Sequence, residues 1–214
     1  MRRTDSQPNQ PFPVEVIEQK PVFRSHLKID EYRLRHGLFG GGMSAEMSRE
    51  VVWRRDAVVV VPYDPVRDEV VLIEQFRAAA LFNNDRAWMI EFVAGLIEDG
   101  ESLEEVCRRE MQEESGLTTD APLLPVTMAY ATPGFCSERF HMFCAKVDAT
   151  QARGVHGLDE EHEDIRVFAL PFAEALRRWQ AGEMPNTPVS IGLLWLALHR
   201  EKLQRKWENI HETR

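Results

Sequence analysis

The chain has 214 residues, which is enough for one main domain with a small additional element but hardly for two large domains. Its 35 Asp and Glu residues outnumber its 26 Lys and Arg residues, so the formal net charge at pH 7 is -9. A molecule of this charge repels polyanions, and nucleic acid is therefore not expected as a partner. A phosphorylated small molecule is compatible with it if divalent cations and local arginines offset the charge within a site.

The cysteines and the hydropathy pattern indicate the compartment. Three cysteines without a CxxC spacing, Cys107, Cys136 and Cys144, argue against a disulfide framework or a thiolate zinc site and favour a reducing cytoplasm. No apolar run approaches the ~20 residues that cross a bilayer, and no apolar stretch follows the two arginines near the N-terminus. We therefore expect neither a membrane span nor a signal peptide.

The first part of the chain is predicted to be a flexible lead followed by a small β element. Residues 1–13 are polar and rich in Pro, Gln and Asn, a composition that cannot bury enough apolar surface to order itself. Residues 14–54 alternate apolar and polar positions and are interrupted by Gly40–Gly42. This pattern is typical of antiparallel strands that are joined by a turn.

Residues 55–208 carry the strand and helix patterns of one larger domain. Apolar runs at 57–61 and 69–76, with an Asp-Pro turn signal between them, predict a hairpin of buried strands. The other predicted strands are 88–93, 126–131, 140–147 and 165–170, and the predicted helices are 101–115, 171–181 and 188–207. The first of these helices has apolar residues at helical spacing and is followed by Gly116, a helix stop.

Three glutamates meet on one face of that helix. Glu110 and Glu114 stand one turn apart, with Glu113 beside them. Like charges at this spacing destabilise a helix by some tenths of a kcal/mol per pair, so the cluster favours cations. Carboxylates without neighbouring His or Cys favour magnesium or manganese over zinc. The structural alternative is a solvated acidic face that is paired with Arg108 and Arg109.

The spacing decides between these alternatives. Gly95 is followed by Glu101 and by the segment Arg109-Glu110-Met111-x-Glu113-Glu114-x-Gly116-Leu117. At ordinary residue frequencies of ~5–8 %, seven such identities coincide at random roughly once in 10⁸ starting points. The pattern resembles the complete Nudix box, and it lies on a predicted strand-loop-helix unit, where that family carries it.

The resemblance covers roughly residues 23–207 and extends to the bacterial ADP-ribose pyrophosphatase branch. It is carried by segments 62–68 and 70–77 and by Pro133, which stands 16 residues past Leu117. It implies an α/β fold, the Nudix α/β/α sandwich with a mixed sheet over 55–208, preceded by the antiparallel β element. It also implies a homodimer with shared active sites.

The resemblance further implies a metal site and a catalytic base. Metal ligands would be Glu110, Glu114, Glu163 and the backbone carbonyl of Ala94, binding Mg²⁺ or alternatively Mn²⁺. The remaining box residues with catalytic roles would be Arg109, which orients the carboxylates, and Glu113, a further ligand or a partner of the ligands. The base would be Glu161 in the acidic segment 157–166, for which the alternative is an ordinary charged surface loop.

Substrate contacts are implied at five positions. Arg77 would bind a phosphate, although a surface ion pair is the structural alternative. Arg49 and Glu50 would meet the adenine end from the partner subunit, and Glu138 would line the site. His26 stands where the branch carries an aromatic residue that stacks on adenine, so the selectivity for the base is open.

The implied reaction is hydrolysis of ADP-ribose, a nucleotide sugar, to AMP and ribose 5-phosphate. An alternative is a pyrophosphatase for GDP-mannose or another nucleotide sugar, which would differ at His26 and in the segment 132–135. A third reading is a module that binds ADP-ribose without catalysis. Such modules usually lack a box carboxylate, whereas Glu110, Glu113 and Glu114 are all present here.

Overall fold

The computed structural model describes residues 11–83 and 86–208, and contacts divide the chain into two compact units. Unit 1 comprises residues 1–55 and 130–139, and unit 2 comprises residues 56–129 and 140–214. The first ten residues of the expected flexible lead lie outside the described residues. None of the helices in the described ranges is long and apolar enough to cross a membrane.

Unit 1 is built on a three-stranded antiparallel sheet. Its strands are β1 (Val14–Arg24), β2 (Lys28–His36) and β3 (Met47–Trp53), and β2 lies in the middle. The segment 130–139 continues this sheet, because the amide of Val52 donates to the carbonyl of Phe135 at 2.7 Å and the amide of Ser137 donates to the carbonyl of Val52 at 3.0 Å. The N-terminal antiparallel element expected from the sequence is confirmed.

Over its described residues, unit 2 contains a mixed eight-stranded sheet and three α-helices. The strands are β4 (Ala57–Asp64), β5 (Glu69–Phe76), β6 (Trp88–Glu91), β7 (Val93–Leu96), β8 (Leu124–Tyr130), β9 (Arg139–Lys146), β10 (Val155–His156) and β11 (Ile165–Pro171). The helices are α1 (Leu103–Ser115), α2 (Phe172–Gln180) and α3 (Thr187–Glu208). The main strand order is β10-β11-β5-β4-β9-β8, with β6 paired to β5 and β7 paired to β4. Since β4 and β9 are parallel while β4 and β5 are antiparallel, the sheet is mixed.

Two cores cover the two faces of this sheet. Val59 and Val61 of β4 pack with α2 and α3, whereas Val58 and Val60 pack with α1. The split follows from the two-residue period of a strand, and it explains why β4 is buried along its whole length. The α/β/α sandwich with a mixed sheet is therefore confirmed.

The structure differs from the predicted strands in two places. The strand predicted over 88–93 is two strands, because β6 pairs with β5 and the chain then passes Phe92 and pairs with β4 as β7. Strand β10 was not predicted, since two residues carry no readable period.

Helix α1 is held at both ends. Ser102 caps its N-terminus, accepting a hydrogen bond from the amide of Glu105, whose carboxylate accepts one from the amide of Ser102. The helix ends at Gly116, whose φ of 68° lies in the left-handed region that favours glycine. These two caps fix where α1 begins and ends.

Candidate active site

The carboxylate of Glu114 joins helix α1 to strand β7. Its Oε2 accepts a hydrogen bond of 2.9 Å from the amide of Ala94, and only 3 % of the residue is exposed. Ala94 is paired with Val59 of β4, so its position is set by the sheet. The structure thus places Glu114 and Ala94, two of the predicted metal ligands, side by side.

Glu110 lies one turn earlier on the same face, against Gly95. A Cβ atom at position 95 would overlap the carboxylate end of Glu110, so no other residue fits there without moving that group. The glycine of the box is therefore required for the close approach of the Glu110 carboxylate to the backbone of β7.

Arg109 connects the other acidic residues of the box. Its Nη1 donates to Glu110 Oε1 at 2.7 Å and to Glu113 Oε2 at 3.1 Å. Its Nε and Nη2 donate to the two carboxylate oxygens of Glu101 at 3.1 and 3.2 Å. One guanidinium thus orients three carboxylates by charge-assisted hydrogen bonds.

The site has more negative charge than its own arginine offsets. Burial raises the pKa of Glu114 well above its usual range, and the charges of Glu110 and Glu163 raise it further. Burial likewise raises the pKa of Glu110, against the lowering effect of Arg109. Desolvated carboxylates with raised pKa values are typical of functional sites, and a bound cation would favour their charged forms.

The predicted metal ligands have the oxygen donors that a hard divalent cation prefers. Their side chains are, however, not close enough together to form a complete coordination site. Within 11–83 and 86–208, no three His, Cys, Asp or Glu side chains lie close enough together to hold a metal ion. Glu110 is engaged with Arg109, Glu114 with the Ala94 amide, and Glu163 with the Leu158 amide. All these donors are oxygens, which magnesium and manganese prefer.

The acidic loop that carries the predicted base is anchored to α1. The amide of Gly157 donates to the carbonyl of Glu113 at 3.2 Å, and the amide of Leu158 donates to Glu163 Oε2 at 3.2 Å. Because the charge of Glu163 raises the pKa of both Glu110 and Glu114, this side chain is electrostatically part of the cluster. Glu161 lies in an exposed 3₁₀ turn between these anchors.

Arg77 follows β5 and forms a salt bridge with Glu91, with Nη2 2.8 Å from Oε2. An ion pair was the structural alternative for this residue, and the pair exists, but its partner is nearly buried. Sequence reasoning missed Glu91. The signal was a glutamate inside the apolar run of β6 and Phe92, where a charge requires a partner.

The other predicted substrate contacts belong to unit 1. His26 lies in the turn between β1 and β2, and Arg49 and Glu50 lie on β3. Glu138 forms an ion pair with Arg54, with Nε 3.0 Å from Oε1. Their roles toward a substrate stay predictions.

Comparisons with known proteins identify the family and several relatives of the chain. The family model of the NUDIX domain matches residues 53–187. ADP-ribose pyrophosphatase of Escherichia coli (strain K12) is 46% identical over 194 residues, which are 91% of this chain and 92% of that protein. GDP-mannose pyrophosphatase of Pectobacterium atrosepticum is 32% identical over 175 residues, 81% of this chain and 89% of that protein.

A solved structure is similar in fold. The crystal structure of an ADP compounds hydrolase matches with a TM-score of 0.66 at 20% identity, covering 90% of this chain and 95% of that one. The chain belongs to the Nudix family, and the family resemblance inferred from the box is confirmed.

Proposed function

We propose that the chain hydrolyses the pyrophosphate of ADP-ribose, giving AMP and ribose 5-phosphate. The observation that carries the proposal is the pair of desolvated carboxylates, Glu110 and Glu114, at the junction of β7 and α1. The identity of 46% to an ADP-ribose pyrophosphatase, against 32% to a GDP-mannose pyrophosphatase, supports the choice of nucleotide sugar.

The proposed cofactor is Mg²⁺, with Mn²⁺ as a substitute, held by Glu110, Glu114, Glu163 and the carbonyl of Ala94. The oxygen-only donor set and the raised pKa values of Glu110 and Glu114 support this assignment. When bound, such an ion neutralises charge on the pyrophosphate and lowers the pKa of a water.

The side chains around this cluster would transfer the proton, bind a phosphate and orient the carboxylates. Glu161 accepts the proton of the attacking water, for which its exposed turn gives access. Arg77 binds a phosphate oxygen. Arg109 keeps the carboxylates in orientation through the bonds described above, and Glu113 shares that guanidinium with Glu110.

A homodimer with shared active sites is part of the proposal, with His26, Arg49 and Glu50 meeting the adenine end and Glu138 lining the site. Edge strand β1 supports an interface, because a long edge strand with exposed apolar side chains is seldom left uncovered. The exposed apolar residues on β1 are Val14, Val16, Ile17, Val22 and Phe23. The free thiols of all three cysteines support a reducing cytoplasm as the location.

The test is a comparison of substrates. Phosphate release in the presence of excess phosphatase would be measured for ADP-ribose, GDP-mannose and NADH, with magnesium, on wild type and on Glu114→Gln. Rapid turnover of ADP-ribose that the variant loses is the expected result. A preference for GDP-mannose would overturn the proposed choice of substrate. Binding of ADP-ribose without cleavage by wild type would overturn the proposal that the chain is catalytic.

A further inference from the structure

The guanidinium of Arg77 is held on one edge by a single, nearly buried carboxylate. Nη2 donates to Glu91 Oε2 at 2.8 Å, and Nε donates to Oε2 at 3.2 Å and to Oε1 at 3.3 Å. Only 7% of Glu91 is exposed, whereas 44% of the Arg77 side chain is exposed. Nη1 has no part in this pair, so it is the group that remains to bind an anion.

Glu91 is itself fixed from two sides. Asn186 Nδ2 donates to Oε1 at 3.1 Å, and Gln75 Nε2 donates to Oε2 at 3.3 Å. The side-chain oxygen of Asn186 accepts a hydrogen bond of 3.2 Å from the amide of Val189, in the first turn of α3. The amide group of Asn186 can therefore cap the helix and bond Glu91 only in this one orientation.

Arg77 is electrostatically coupled to the proposed metal ligands. Burial opposes its charge, but Glu91 and, more weakly, Glu114 and Glu163 outweigh that effect and raise the pKa of Arg77. In the reverse direction, Arg77 lowers the pKa of Glu114. The charge held by Glu91 therefore acts at the carboxylate cluster.

We propose that Glu91, supported by Asn186, is a positioning residue that orients Arg77 toward a phosphate of the substrate. This inference rests on the proposed function. Glu91 does not touch the substrate; it acts through the guanidinium. A fixed guanidinium loses less conformational entropy when a phosphate binds, and it is already oriented toward the charge that develops in the transition state.

Glu74 offers a matched control. It is 5% exposed, lies on neighbouring β5, and forms ion pairs with Arg86 and Arg166. Neither of these arginines is a leading cause of the pKa shifts of Glu114 and Glu110. Glu74→Gln therefore measures the general cost of removing a buried charge that is paired with arginine.

The experiment is a double-mutant cycle with magnesium and ADP-ribose, reading kcat, KM and Tm. Glu91→Gln is expected to lower kcat/KM about 10–100-fold. In the Arg77→Ala background the same change should alter kcat/KM by less than about 3-fold, because the group it positions is gone. Glu74→Gln should lower Tm comparably but keep kcat/KM within about 3-fold.

Asn186→Ser gives a second, milder variant. Serine caps a helix well but has no amide to donate to Glu91, so a loss of about 3–10-fold in kcat/KM with little change in Tm is expected. This variant carries the test if Glu91→Gln fails to fold.

Two results would overturn the inference while the proposed function stands. One is a loss of kcat/KM in Glu91→Gln that is the same with and without Arg77. The other is a loss of kcat/KM in Glu74→Gln that equals the loss in Glu91→Gln. Failure of the proposed function would show instead as wild type that does not cleave ADP-ribose. A crystal structure of Glu91→Gln then decides the inference independently, since an unmoved Arg77 guanidinium contradicts it and a displaced one supports it.

Discussion

Unit 2 contains two sets of carboxylates that are largely removed from solvent. The two sets differ in how their negative charges are compensated. Those on the strands are matched by arginines of the chain: Glu74 by Arg86 and Arg166, and Glu91 by Arg77. Such pairs offset the cost of taking a charge out of water, because the partner charge and the hydrogen bonds come with the fold.

The carboxylates on helix α1 have less compensation. Glu114 accepts its hydrogen bond from a neutral backbone amide, and Glu110 shares Arg109 with two other glutamates. Burial raises the pKa of both. The difference indicates that the charges of the strand carboxylates are compensated within the folded chain, whereas under the proposed function those of the helix carboxylates are compensated by a bound cation.

The largest effect should come from removing a helix carboxylate. Glu114→Gln keeps an oxygen for the Ala94 amide but removes the charge. Losing about 4–6 kcal/mol of charge stabilisation corresponds to a fall in kcat/KM of roughly 10³–10⁴-fold. The measurement is ADP-ribose hydrolysis with saturating magnesium. Glu104→Gln, at an exposed position of the same helix, should behave as wild type; more than a tenth of wild-type activity in Glu114→Gln would contradict the assignment.

A smaller loss is expected at the acidic loop. Glu161→Gln removes the proposed base without touching the carboxylates of α1, so kcat should fall about 10²–10³-fold while the magnesium requirement stays the same. The control is Glu160→Gln, in the same 3₁₀ turn. If the two variants are equally active, the loop is the charged surface segment that was its structural alternative.

Gly95→Ala tests the placement of Glu110. The new methyl group would displace the Glu110 carboxylate from the backbone of β7, and we expect a loss of about 10–100-fold in kcat/KM with a weaker apparent affinity for magnesium. Gly40→Ala is the matched control, since a Cβ there meets no atom within 4 Å. Unchanged magnesium dependence in Gly95→Ala would mean that Glu110 is not a ligand.

The smallest effect is on stability, and its sign differs between the two sets. Burial raises the pKa of Glu114 above 4.5, so its ionised form destabilises the metal-free fold increasingly as the pH rises from about 4.5 through the folded-state pKa. In EDTA at pH 7–8, Glu114→Gln should raise Tm by about 2–6 °C, whereas Glu91→Gln should lower it by a similar amount.

The increase in Tm caused by Glu114→Gln should become smaller as the pH falls through the raised folded-state pKa of Glu114, because the wild-type carboxyl then protonates. Thermal unfolding across this pH range, with and without magnesium, measures it. A loss of stability in both variants at all pH values would remove the distinction between the two sets.

Much of unit 2 followed from local patterns. Helix α1, its stop at Gly116 and the convergence of Glu110 and Glu114 come from spacings of one turn. Two apolar runs with a turn signal between them predict the hairpin of β4 and β5, which the structure contains. Such patterns are readable because the interacting residues are near one another in the chain.

The pairs that position Arg77 could not be read in this way. Glu91 is 14 residues from Arg77, and Asn186 is 95 residues from Glu91. The division of 88–96 into β6 and β7 likewise depends on which strands lie beside it. A glutamate within an apolar run indicates a buried charge that requires a partner, but the sequence does not identify which residue that partner is.

The sequence by itself determined the family, through one motif of fixed spacing, and the acidic face of α1, through helical periodicity. The layers of the sandwich followed from the family resemblance. Only the tertiary structure decided which buried carboxylates are matched by arginines and which are short of positive charge. That balance is set by side chains brought together across strands, and local spacing does not encode it.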